Sequence, residues 1–114
     1  MGGVRRPTVA IVAASMLGSA GNALADFKTG NGLLQMCRGP TAVEISGCTE
    51  YIVAVVDLMA HFPVNGLSAC PAPTVTGSQV RDVAIQYLKS HREEDQNSAA
   101  TLVAEAIGRA FPCQ

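Results

Sequence analysis

The chain has 114 residues, 48% of them hydrophobic, with eight basic and nine acidic residues. That length holds one domain, and the charge balance offers no basic patch of the kind that nucleic-acid binding depends on. The four cysteines, Cys37, Cys48, Cys70 and Cys113, include no CxxC spacing, so neither a zinc ribbon nor a thioredoxin-like redox pair is indicated.

Met1 to Arg6 is a short basic start, Val9 to Ala20 is an apolar and small-residue stretch, and Ala23-Leu24-Ala25 has the small-x-small pattern that signal peptidase reads. The expectation is an export signal over 1–25, cleaved after Ala25, with a domain over 26–114. The competing reading, a weak N-terminal membrane anchor, is disfavoured because the apolar stretch is too short to span a bilayer comfortably. Arg5-Arg6 hints at twin-arginine export, but the surrounding residues fit that signal poorly. Cleavage would leave 89 residues carrying six basic and nine acidic side chains. A core of that size leaves little stability to spare, so covalent staples are expected to help. No later run is both long enough and free enough of charge to serve as a stable membrane anchor.

The remainder reads as helical. Leu33, Leu34 and Cys37 lie one turn apart in a first short helix, which Arg38-Gly39-Pro40 interrupts. Thr41-Ala42-Val43-Glu44 has the capping-box form, and behind it Ile45, Cys48, Ile52, Val55 and Met59 recur at steps of three and four. Gly47 within this long helix should cost about 1 kcal/mol relative to Ala unless close packing requires it. Phe62-Pro63-Val64-Asn65-Gly66 ends the helix, and a proline-rich connector runs from Leu67 to Val75. A second box, Thr76-Gly77-Ser78-Gln79, precedes a stripe of Val80, Val83, Ala84, Tyr87 and Leu88. Ser90 to Asn97 is polar and reads as a solvated turn. Asn97 or Ser98 then caps a last helix with Leu102, Val103, Ala106, Ile107 and Ala110 on one face. With no period-two runs and no repeats, the fold class is all-α: a small disulfide-stapled bundle of about four helices.

Ordered along the chain, Gly30-Asn31-Gly32-Leu33-Leu34-Gln35-Met36-Cys37, Cys48-Thr49-Glu50-Tyr51-Ile52 with Asp57, Cys70-Pro71, Thr76-Gly77-Ser78-Gln79, Tyr87-Leu88 and Ala106-Ile107-Gly108-Arg109-Ala110-Phe111-Pro112-Cys113 resemble the Rap/Tai-type immunity proteins of type VI secretion systems. The resemblance runs from about Phe27 to Cys113. It implies a periplasmic, disulfide-bonded helical protein, often a homodimer, that binds a cognate peptidoglycan amidase effector and blocks its active site without a cofactor. The chain departs from the pattern at Glu50 and Ala54, where relatives tend to have Gly, and at Arg92, where they usually carry Pro.

An even cysteine set in a small exported chain is a disulfide framework in preference to a zinc site. Four cysteines admit three connectivities, and sequence alone does not choose among them. Chain geometry favours Cys37–Cys48, across the short turn, and Cys70–Cys113, tying the connector to the C-terminus. Asp57 and His61 stand four apart on the long helix with Glu50 on the same side. The sharp reading is an acid–base pair or metal site. The plainer one is a polar stripe facing solvent or a second copy, favoured because no nucleophile or third ligand stands beside it. No G-x-S-x-G, H-E-x-x-H or strand-linked phosphate loop is present, so no catalytic residue, metal ligand or cofactor is assigned and the chain is not read as an enzyme.

Binding needs only shape and a few anchors, and function concentrates on loops held by a rigid scaffold. The segment His91, Arg92, Glu93, Glu94 and Asp95 is therefore the candidate partner-binding surface, with the connector from Phe62 to Val75 as the other segment least committed to the core. His91 itself, alone in a charged loop, is expected to be solvated. The competing function, from another class, is a small periplasmic helical chaperone resembling the acid-activated Hde type, which would open at low pH.

Overall fold

The computed structural model describes residues 27–114; the expected export signal and its cleavage point lie outside the described residues. Four α-helices follow in order: α1 (Gly30–Cys37), α2 (Ala42–Met59), α3 (Gly77–Ser90) and α4 (Ala99–Ala110), with a 3-10 turn at Arg92–Glu94 between the last two. No strand occurs among the described residues, and two isolated bridges, Thr29 with Ser98 and Val64 with Leu67, tie chain segments together. The chain is a small all-α, disulfide-stapled bundle.

Three helices begin on threonine, because a hydroxyl can satisfy one of the amides that a helix start leaves without a partner. Thr29 accepts from the Gly32 amide at 3.1 Å, and Thr41 from that of Glu44 at 3.2 Å. Thr76 accepts from Gln79 at 3.2 Å, and the Gln79 side chain accepts from the Thr76 amide at 2.8 Å, so this box closes in both directions. The box expected at Thr41 closes differently: the Glu44 carboxylate takes the Thr41 hydroxyl at 2.8 Å. The fourth helix starts after Ser98, whose hydroxyl makes no capping bond. The segment entering α1 helps hold that start instead, since the Ala99 amide donates to the Lys28 carbonyl at 2.9 Å.

The core is built from the expected stripes, with informative exceptions. On α2, Cys48, Ile52, Val55 and Met59 are buried, whereas Ile45 is 41% exposed. On α3, Val80, Ala84, Tyr87 and Leu88 are buried, with Val83 partly so. Helix α4 buries Ala99 and Ala104 as well as Leu102, Val103, Ala106 and Ile107, while Ala110, at its end, is exposed. Its alanines let the other helices close in on more than one side, so α4 is the central element of the bundle. Gly47 meets the close-packing condition: a Cβ there would lie 3.0 Å from Met36 Sδ on α1.

The pairing is Cys37–Cys48 and Cys70–Cys113. The first spans the turn between α1 and α2, and the second ties the connector to the C-terminal tail, where the Cys70 amide also donates to the Phe111 carbonyl at 2.8 Å. Within the connector, Asn65 and Gly66 both have positive φ, 53° and 77°, and Val64 and Leu67 exchange two backbone bonds of 2.9 Å. That is a type I′ turn, for which Asn-Gly is the favoured pair. No helix of the described residues is long and apolar enough to cross a membrane.

Candidate functional site

The segment between α3 and α4 is ordered by bonds at both ends. At its start, Tyr87 is buried and its ring stacks on that of His91, with centroids 3.8 Å apart and planes 14° from parallel. His91 Nδ1 lies 2.9 Å from the Tyr87 carbonyl and 3.0 Å from Ser90 Oγ. His91 is thus half-buried against α3 and is not the solvated loop residue expected. The Tyr87 hydroxyl donates to Glu105 Oε2 on α4 at 2.6 Å, and the Arg109 guanidinium sits 5.5 Å from the Tyr87 ring centroid. Burial first, and then the Glu105 carboxylate at the hydroxyl, push the Tyr87 phenol up to about 12. Sequence reasoning counted Tyr87 as a core residue, quoted Arg109 only as part of a motif and passed over Glu105. The four-residue spacings Tyr87–His91 and Glu105–Arg109 were the available signal.

At its far end the loop is clipped to the start of α1. The Gly30 amide donates to the Asn97 carbonyl at 2.9 Å, and the Asn31 amide to the Asp95 carbonyl at 2.8 Å. Arg92 donates to Asp95 Oδ2 through Nε at 3.3 Å and Nη2 at 3.2 Å, and Nη2 also reaches Asn31 Oδ1 at 3.3 Å. Glycine suits position 30, because a Cβ there would run into the end of the Leu102 side chain, which would have to shift, while only touching the Asp95 backbone at 3.4 Å. The five residues singled out as a partner-binding run therefore divide. His91, Arg92 and Asp95 fasten the loop, while Glu93 is exposed and Glu94 half-exposed, and neither makes an ion pair among the described residues.

Beside the loop lies a polar cleft of about 440 Å³ whose lining includes Asn31, Gln35, Arg38, Glu44 and Arg92. Asp57 and His61, on α2, are exposed and remote from this arrangement in the chain. No group of three or more His, Cys, Asp or Glu side chains among the described residues is placed to hold a metal ion. Glu50 and Ala54 also lie exposed on α2, so the two departures from the glycine pattern fall on an outer face and leave the core as it is.

A bundle of this size, stapled at both ends and holding out a fastened acidic loop, is a small disulfide-bonded helical module. The family model for Rap1a immunity proteins matches residues 29–113, from the cap of α1 to the last disulfide cysteine, and the chain belongs to that family. It is accordingly an immunity protein, of a kind directed against a secreted toxin. No curated protein is similar enough to match the chain.

Proposed function

We propose that this protein acts in the periplasm and protects its producer by seating the loop 91–97 in the active-site cleft of a type VI secreted peptidoglycan amidase. Family membership supplies the immunity role, and the resemblance of the cysteine and glycine motifs to Rap/Tai-type proteins supplies the amidase. Two disulfides suit an oxidising compartment, reached through the export signal expected over 1–25. Inhibition by occlusion needs no cofactor and no turnover. It requires a shape that is already set before the encounter, because ordering a loop during binding subtracts from affinity.

The observation that carries this reading is the division of labour within the loop. Arg92, Asp95 and Asn31 fix its geometry, leaving the Glu93 and Glu94 carboxylates without ion-pair partners among the described residues. Such charges accelerate association with a basic surface. Glu93→Lys with Glu94→Lys tests the idea, while Asp95 is left alone because its reversal would also unfasten Arg92. Inhibition of the amidase should weaken by roughly tenfold or more, mostly through the on-rate at low salt. Unchanged inhibition and on-rate would remove the loop from the interface. The chaperone alternative is not favoured: no carboxylate or imidazole among the described residues is buried, so acidification has no buried charge pair to break.

A further inference from the structure

Away from the loop, between α2, the proline-rich connector and the start of α3, runs a groove of about 480 Å³. Val53, Val56, Val75 and Val80 supply apolar lining, and Pro71 and Pro73 stand on the connector side. Two features keep it open. Gly77 lies at its edge, where a Cβ would already stand 3.3 Å from Val53 Cγ2. The connector is held in place by the Cys70–Cys113 disulfide and by a turn in which the Val75 amide donates to the Ala72 carbonyl at 3.0 Å. Prolines fix the backbone at two of these positions, so little order has to be gained when something binds.

The groove has a definite charge. Among the described residues Asp57 is the one charged residue that lines it, and its carboxylate makes no hydrogen bond or ion pair there. Glu50 stands two turns earlier on α2, also exposed and without an ion pair among the described residues. The cation in this part of the fold, Arg81, is turned to Asp82 at 3.3 Å and to Thr49 at 3.4 Å. An apolar trough with one uncompensated carboxylate is complementary to a side chain that is greasy on one part and positive next to it.

We infer that this groove docks a polypeptide segment of a partner protein that presents an aliphatic side chain beside a lysine or arginine. The aliphatic side chain enters between Val53, Val56 and Val80, and the cation meets Asp57 at the rim. The contact is separate from the loop 91–97 and stands whether or not that loop occludes an amidase.

The test uses two synthetic peptides, acetyl-Gly-Leu-Lys-Leu-Gly-amide and the same sequence with Glu in place of Lys, titrated into the isotopically labelled protein and followed by amide and methyl resonances. The lysine peptide should shift Val53, Val56, Asp57 and Val75 saturably, and the glutamate peptide should bind roughly fivefold more weakly or not at all, as expected for an exposed charge pair. In Asp57→Lys, an exchange on an exposed helix face, the preference should reverse. Ala60→Phe, which fills the groove, should abolish binding of both while resonances elsewhere stay in place. Equal binding of the two peptides, an unchanged preference in Asp57→Lys, or no shift at the groove would overturn the proposal. So would groove resonances that move on dilution of the protein alone, which would place a second copy there.

Discussion

Tyr87 is the residue at which the core and the loop meet. Its ring carries His91, and its hydroxyl is spent on Glu105 at 2.6 Å. A phenol held at about 12 is favoured in its protonated form by the folded state. Its contribution to stability is therefore whole below the ordinary tyrosine value near 10, and it is lost as pH rises from there through about 12. Two outcomes follow for Tyr87→Phe. A tyrosinate component near 12 should vanish from the absorbance titration, and stability at neutral pH should fall by about 1–2 kcal/mol, since a half-buried carboxylate loses its donor. A variant as stable as the parent would show that the hydrogen bond is offset by solvent. At this scale the sequence was only partly legible. Tyr87 reads as core from its place in the stripe, but the partner eighteen residues away on α4 is a tertiary contact that no local period announces. His91 looked solvated because its neighbours are charged, and the ring beneath it was overlooked.

Among elements, helix starts and staples were the most readable. Thr76 and Gln79 form the reciprocal box that their spacing announces, whereas Glu44 bonds the Thr41 hydroxyl and leaves the box half closed. Thr76→Ala should therefore destabilise by about 1 kcal/mol and more than Thr41→Ala does, as thermal unfolding would report. A reversed order would mean that the Gln79 contact adds nothing. The disulfides close loops of 11 and 43 residues, for which loop entropy assigns about 3 and about 4 kcal/mol. Paired Cys→Ser variants should rank in that order in denaturant midpoints. Less readable was the joint between α1 and the loop. Gly30 stands at a helix start, where glycine is unremarked, yet Leu102 and the Asp95 backbone fill the space beside it. Gly30→Ala should cost about 1–3 kcal/mol through overpacking and speed amide exchange at Asn31, whose backbone bond to Asp95 it would disturb. An unaltered exchange rate there would show that the clip tolerates a methyl group.

For the whole molecule, the order of helices was legible in the spacing of glycines, threonines and apolar residues, which carry local rules that act at short range. The cysteine pairing was only favoured by chain geometry until the structure showed it. Sequence reasoning named the loop and the connector as the segments least committed to the core; what escaped it was how each is held and shaped. The groove beside Asp57 is bounded by a connector tied to Cys113, and the loop is clipped to the start of α1, both of them contacts between segments far apart in the chain. Ile45, read as core, is 41% exposed because α2 begins before the bundle has closed around it. The measurement closest to the central claim is growth protection: an amidase toxin from the same producer is directed to the periplasm of a sensitive cell together with the full chain or with a form lacking residues 1–25. The full chain should restore growth and the shortened form should not. Rescue by the shortened form would contradict action in the periplasm, and lysis with both forms, across every amidase of that producer, would contradict the amidase as target.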